Sequence, residues 1–233
     1  RKVIFQEIGN FINQLLQIKE DKILTRSQQN AFKKSGIAPL YDYKLNSQKL
    51  IAVTGTDGKS TVCEMIYHIL AKQGYRPGMI STLGCKIGKN NLRTGLHTTT
   101  PSPKEIQRLL TEMKNRHCSH IIIECTSQGL FMGRLAGLHF DVAVYTNITH
   151  EHMNYHKTWE EYTAAKALLI QRHLKKNSAI VINKDDKRSY SYLSALHTPT
   201  ISYSTTDIPS ENDDVTVQVM SNTAEDISYR YKR

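Results

Sequence analysis

The residues of this chain with the plainest chemistry lie together at Gly55-Thr-Asp-Gly58-Lys59-Ser60-Thr61. An apolar run, Leu50 to Val53, leads into them, and Val62, Met65, Ile66, Ile69 and Leu70 follow at helical spacing, which predicts strand, tight glycine turn, helix. A phosphate chain suits such a turn. Small residues let backbone N–H groups approach the oxygens, and the N-terminus of the following helix adds partial positive charge. Lys59 would then reach the terminal phosphates and the Ser60 hydroxyl would hold Mg²⁺. The alternative is a strand-turn-helix corner whose Gly-Lys-Ser is accidental. The usual phosphate-binding loop, or P-loop, places a further glycine where Val53 stands, so this is the shorter G-T-x-G-K-S form.

Three further stretches could bring chemistry to that loop. Ser119-His-Ile-Ile-Ile-Glu124 reads as a buried parallel strand ending in a carboxylate. Open α/β sheets bind ligands at the carboxyl ends of their strands, so Glu124 falls beside the loop, where a magnesium-dependent site needs an acid. The competing reading is a strand-end acid facing solvent. Asp141 to Ile148 reads as a second buried strand, followed by Thr149-His-Glu-His-Met-Asn-Tyr-His156, a histidine-rich loop that could ligate metal, position phosphate or simply be solvated. A helix is predicted over 159–174, with Tyr162 and Lys166 one turn apart on one face. Ala164, Ala165, Ala167, Leu168 and Leu169 enclose Lys166 and predict partial burial, for which a snorkelling side chain is the common explanation.

The elements that must position these residues alternate between strand and helix. Gly74 to Gly78 is a turn and Met79 to Leu83 a short strand. Gly95 to Pro103 is extended, because residues before proline leave the α region. Lys104 to Arg116 is a helix, with Ser102 as its cap and Pro103 as a first-turn residue. Ser178 to Asn183 is a strand and Lys184-Asp-Asp-Lys-Arg188 a polar turn. Beyond Pro199, Val215, Val217 and Val219, then Ile227, Tyr229 and Tyr231, alternate with polar residues as an antiparallel hairpin. The expected fold is α/β: a P-loop three-layer domain, mostly parallel sheet, helices on both faces, and a small antiparallel hairpin near the C-terminus.

Residues 3–18 form an amphipathic helix, packed on the main domain rather than on a membrane surface, and 19–48 a polar, basic lead-in. The division is therefore 1–48 and a nucleotide-binding domain over 49–233 that is incomplete at its C-terminus. The chain opens on Arg1, which suggests a trimmed start or a fragment. No apolar run approaches the ~20 residues of a membrane span, so a soluble protein without a transmembrane segment is expected. Cys63, Cys85, Cys118 and Cys125 show no C-x-x-C pairing, which argues against zinc or a redox pair and suits a reducing cytoplasm. Lysine and arginine outnumber acids 31 to 21, but they are scattered and no nucleic-acid motif accompanies them. No nucleic-acid partner is expected, and a monomer is.

The ordered set Thr-Gly-Thr-Asp-Gly-Lys-Ser-Thr, Thr-Thr-Pro, Glu-x-Thr-Ser, Thr-Asn-Ile-Thr-x-Glu-His-Met-x-Tyr-His, Tyr-x-x-Ala-Lys and Asn-x-Asp-Asp resembles the central ATPase domain of the Mur ligases. Within that family it is most similar to the branch adding the third peptide residue in peptidoglycan synthesis, over about residues 49–232. The resemblance implies ATP-driven amide formation through an acyl phosphate, with ATP and Mg²⁺ as cofactors and a UDP-muramoyl peptide and an amino acid as partners. It implies that Gly55, Thr56, Asp57, Gly58, Lys59, Ser60 and Thr61 cradle ATP, with Asn183 also on the nucleotide. It implies magnesium ligation by Ser60, Glu124, His152 and a carbamylated Lys166, catalytic roles for Lys59, Glu124, His152 and Lys166, and substrate contacts from Thr99, Thr100, Thr126 and Arg134. The family's Glu-x-Ser-Ser-His is Glu124-Cys-Thr-Ser-Gln128 here, its Asp-His is Glu151-His152, and Met132 replaces a substrate-binding glutamine. Folate polyglutamylation on the same scaffold and a non-catalytic nucleotide-binding module are the alternatives.

Overall fold

The computed structural model describes residues 45, 47–88, 90–92, 99–149, 156–196, 199–205, 215–222 and 227–232. The expected helix over 3–18 lies outside them, as does the lead-in apart from residues 45, 47 and 48. Strand β1 (Lys49–Thr54) is buried almost throughout and pairs in parallel with β5 (His120–Glu124) on one side and β6 (Phe140–Tyr145) on the other. Register places Val53 opposite Glu124 and Thr54 opposite Tyr145, so three strands end level at one edge. β2 (Pro77–Ser81) flanks β5, whereas β7 (Leu174–Asn183) and β8 (Thr200–Ser204) continue in parallel beyond β6. With β3 (Gly84–Ile87), β4 (Asn90–Leu92), β9 (Val215–Asn222) and β10 (Ile227–Lys232), the sheet order is β10-β9-β8-β7-β6-β1-β5-β2-β3-β4.

Successive side chains of β1 and β5 serve opposite faces, which explains why these strands read as unbroken apolar runs. Ile51, Val53 and Ile122 pack with Cys63, Tyr67, Ile69 and Leu70 of α1 (Lys59–Lys72). On the other face, Leu50, Ala52, Ile121 and Ile123 meet α2 (Pro103–Asn115) and α4 (Trp159–His173), joined by Leu130 of α3 (Ser127–Phe131) and Leu193 of α5 (Lys187–Ser194). The result is the expected three-layer α/β domain. α2 shows why its sequence folds locally. Ile106, Leu109, Leu110 and Met113 form one fully buried stripe, each worth about 1.5–3 kcal/mol of burial. Ser102 Oγ accepts from Glu105 N at 3.3 Å, and Pro103 opens the helix.

Several boundaries differ from expectation. β2 ends at Ser81, and Thr82 and Leu83 form the turn into the antiparallel β2–β3–β4 meander, which the apolar run Met79 to Leu83 concealed. The polar turn expected at 184–188 is a bend leading into α5, whose first turn Asp186 caps by accepting from Ser189 N. β8 was hidden by its serines, and α3 by its brevity. The hairpin of β9 and β10 is antiparallel as expected, with Ile227 opposite Asn222.

Candidate functional site

The glycine loop turns at the carboxyl end of β1 and needs its two glycines for different reasons. Gly55 has φ 148°, and a Cβ there would fall 1.8 Å from Thr146 Oγ1, so backbone passes where no side chain fits. Gly58 has φ 76° and caps α1 from the left-handed region without any side-chain acceptor. The first intrahelical bond is Val62 N to Gly58 O at 2.9 Å, leaving the N–H groups of the first turn aimed out of the helix. Lys59 Nζ donates to Thr56 O at 2.6 Å, folding its ammonium back over the loop.

A strut of backbone, residues 146–149, leaves β6 and holds this loop from beneath. Asn147 O accepts from Thr56 N at 2.8 Å and Asn147 Oδ1 from Asp57 N at 2.9 Å. Thr146 Oγ1 donates to Asp57 O at 2.6 Å, and Thr149 N to Thr56 Oγ1 at 3.0 Å.

Glu124 ends β5 with its side chain turned toward the loop and is 1 % exposed, which removes the solvent-facing alternative. Its Oε2 accepts from Ser60 Oγ at 2.9 Å and from Thr82 N at 2.9 Å, with Thr82 Oγ1 at 3.2 Å. Thr82 Oγ1 also reaches Thr99 Oγ1 at 2.9 Å. Thr100 Oγ1 donates to Glu124 O at 3.1 Å or shares a proton with Thr126 Oγ1 at 3.0 Å, and Arg134 Nη1 donates to Thr100 O at 2.8 Å. Thr100, Thr126 and Arg134 are thus one hydrogen-bonded group at the end of β5, Thr99 joins Glu124 through Thr82, and Arg134 Nη2 also touches Met132 Sδ at 3.4 Å. Ser60 and Glu124 offer adjacent hard oxygens, a donor set that fits Mg²⁺, an ion that takes few protein ligands and completes its shell with water and phosphate. Among the described residues, no trio of His, Cys, Asp and Glu side chains gathers as a metal cluster elsewhere.

Lys166 is 1 % exposed, buried well beyond the partial burial expected. Its Nζ donates to Gly55 O at 2.7 Å and lies 4.4 Å from the centroid of the Tyr162 ring, so it ends inside the protein rather than snorkelling. Tyr162 Oη meets Thr56 Oγ1 at 3.3 Å, and both residues of the predicted helix face therefore touch the loop. Thr61 is exposed on the first turn of α1. Asn183 stands at the end of β7, two strands from β1, with Oδ1 accepting from Asp185 N at 2.9 Å. Glu151 and His152 lie outside the described residues. His156, at the far end of that loop, is buried with Nε2 3.1 Å from Ser127 Oγ. Burial, followed by the charge of Glu124, pushes the thiols of Cys63 and Cys125 far up, so neither is a nucleophile at neutral pH. Sequence reasoning gave no role to Thr82, Thr146 or Asn147, although Thr146 and Asn147 open the Thr-Asn-Ile-Thr motif; their place at strand ends level with the glycine loop was the further signal.

A glycine loop opening a helix, on a parallel sheet whose neighbouring strand ends in a buried acid, defines a P-loop α/β domain. A solved UDP-N-acetylmuramoyl-L-alanyl-D-glutamate–2,6-diaminopimelate ligase superposes with TM-score 0.68 at 27% identity, covering 88% of this chain and 39% of that one. Residues 53–232 match the Mur ligase middle domain, and the chain belongs to that family. It is 37% identical over 164 residues to the ligase of the same name from Cytophaga hutchinsonii, covering 70% of this chain and 33% of the relative. It is 35% identical over 150 residues to one from Clostridium acetobutylicum, covering 64% and 30%. The chain thus spans about a third of the length of these relatives. Escherichia coli FolC shares the fold at TM-score 0.55 and 17% identity, over 97% of this chain and 55% of that one.

Proposed function

We propose that residues 49–233 are the nucleotide-handling domain of a cytoplasmic, ATP-dependent amide ligase that joins an amino acid to a UDP-muramoyl peptide, with residues 1–48 as its lead-in. One contact supports this above all: the Ser60 hydroxyl of the glycine loop donates to the Glu124 carboxylate at 2.9 Å, bringing a phosphate cradle and a metal-binding acid together. The backbone of Gly55 to Thr61 and the N-terminus of α1 bind the phosphates of ATP, and Lys59 turns from Thr56 O to the terminal oxygens. Ser60 and Glu124 hold Mg²⁺, which when bound neutralises the charge on the transferring phosphoryl group. His152 adds a further ligand, and Asn183 orients the nucleotide from the end of β7. Thr99, Thr100, Thr126 and Arg134 grip the acceptor so that its carboxylate meets the phosphoryl group in line, and the incoming amine then displaces phosphate from the activated acid.

Lys166 serves as a carbamate. Its neutral amine adds to CO₂ and releases one proton, which turns a buried cation into an anion beside the metal site. The carbamate nitrogen keeps one hydrogen, with which it can still donate to Gly55 O.

Phosphate release by the full-length protein is the decisive assay. Turnover should require UDP-N-acetylmuramoyl-L-alanyl-D-glutamate together with an amino acid, whereas a folate and glutamate pair should give none; the opposite outcome identifies the sister activity. Lys166→Ala should lose about 100-fold or more and regain part of it with added formate or acetate. Full activity in that variant without rescue removes the carbamate.

A further inference from the structure

Asp186 lies outside the glycine loop, yet its carboxylate joins two separate parts of the carboxyl edge. Oδ1 accepts from Ser189 N at 3.3 Å and caps α5. Oδ2 accepts from Ile148 N at 2.7 Å, across 38 residues of sequence. Ile148 is the middle of the strut, between Asn147, which holds Thr56 N and Asp57 N, and Thr149, which holds Thr56 Oγ1. Two neutral bonds grip the same strut: the Tyr203 hydroxyl to Thr146 O at 3.1 Å and Trp159 Nε1 to Ile148 O at 3.0 Å.

We infer that Asp186 is a positioning residue of the phosphate loop, acting through the backbone of Ile148; its consequence for nucleotide rests on the ligase reading, its contacts do not. Capping alone does not call for aspartate, since serine caps helices about as well. A serine is one bond shorter and has one oxygen, so it can serve Ser189 N but not Ile148 N as well. The charge-assisted bond to Ile148 N is the stronger kind, and without it only neutral bonds restrain the strut, which can then shift relative to Thr56 and Asp57, whose N–H groups it orients. The loop then meets phosphate with its donors no longer set in advance.

The test compares wild type, Asp186→Ser and Asp186→Asn in the full-length protein by amide hydrogen exchange without nucleotide and by ATP affinity. In Asp186→Ser, exchange over 55–61 should rise and the ATP Kd should increase about tenfold, while 187–194 keep wild-type protection. Asp186→Asn retains the side-chain length and one acceptor and should fall between. Unchanged exchange over 55–61 overturns the inference, and so does faster exchange with an unchanged Kd. If serine also opens α5, the asparagine variant decides: weaker ATP binding with α5 still protected supports positioning, and affinity lost only in step with α5 reduces Asp186 to a helix cap. A wild-type protein that binds no ATP sinks the ligase reading, while exchange still decides the clasp.

Discussion

Helices α1 and α4 both follow strands that run to the carboxyl edge of the sheet, and they begin in opposite ways. At α4, Thr158 Oγ1 accepts from Glu161 N at 3.1 Å, and Glu160 and Glu161 set negative charge in the first turn. Both features satisfy the unpaired donors and the positive end of the helix dipole. At α1, Gly58 supplies no side-chain acceptor, the first turn has no acid, and the first residue is Lys59, a cation at the positive end. α2, α3 and α5 share the side-chain cap, from Ser102, Thr126 and Asp186, and α2 adds Glu105 in its first turn. Among the described helices one start therefore forgoes the side-chain cap that the others have, at a cost of a few tenths of a kcal/mol for glycine in that place. Local rules are broken in this way where a ligand completes the structure, and an anion at Gly58 to Thr61 would repair every deficit at once.

Removing Lys59 should break the comparison on its functional side, and it carries the largest expected effect. Lys59→Ala should weaken ATP binding about 100-fold or more, because charge-assisted phosphate contacts are strong. The melting temperature without ligand should hold, since the lost bond to Thr56 O is offset by removing a cation from the positive end of α1. Titration calorimetry and thermal melts read the two halves separately. Wild-type ATP affinity in this variant would show that the uncapped start serves no phosphate.

How much of this edge was legible depended on whether sequence neighbours or fold neighbours make each contact. The loop itself was legible because Gly55, Gly58, Lys59 and Ser60 are contiguous and their chemistry is local. Glu124 was legible because a buried strand ending in an acid has few other uses at a sheet edge. The completeness of Lys166 burial was not, because Gly55, whose carbonyl its ammonium meets, lies 111 residues away. The contacts of Asn147, a residue of the Thr-Asn-Ile-Thr motif, and of Thr82 were not legible for a related reason: each is set by strands that end level, and Thr82 was further disguised by an apolar run that continues past the end of β2. The hairpin of β9 and β10 was legible from alternation over two runs, whereas β8 alternates over only five residues and buries its serines, Ser202 and Ser204, rather than its apolar side chains.

The opposite edge of the sheet should respond to pH where the loop edge need not. His120 opens β5 and His173 closes α4, and burial holds both well below the ordinary range, at about 4. For His120 the nearby Asp141 opposes that shift, and for His173 the hydrogen bond to Leu138 O opposes it. A histidine that stays neutral when folded takes up its proton in the unfolded chain first. Stability is therefore full above about pH 6.5 and declines as pH falls toward 4. Between pH 7 and 5.5 each histidine should cost about 1 kcal/mol. Urea unfolding at the two pH values, with His120→Gln and His173→Gln each flattening part of the slope, checks this. Equal midpoints in the wild type would show that these rings are not held neutral.

The smallest effect sharpens the comparison most, because it touches the helix that obeys the rules. Thr158→Ala removes the cap of α4 and leaves Glu161 N without its side-chain acceptor, at a cost of about 1 kcal/mol. Glu161 would keep its other contact, from Lys157 N to Oε2 at 2.8 Å, so the first turn should fray rather than unwind. Trp159 and Tyr162, which reach Ile148 O and Thr56 Oγ1 from that turn, are buried and should keep their places, and so should Lys166, held by Gly55 O. The urea midpoint should fall while the ATP Kd stays within about twofold, since the lost contact is neutral and reaches no loop donor. A drop in ATP affinity matching the drop in stability would mean that the start of α4 sets the loop as well. The two helix starts would then be one device, and capping could no longer separate what folds this edge from what binds there.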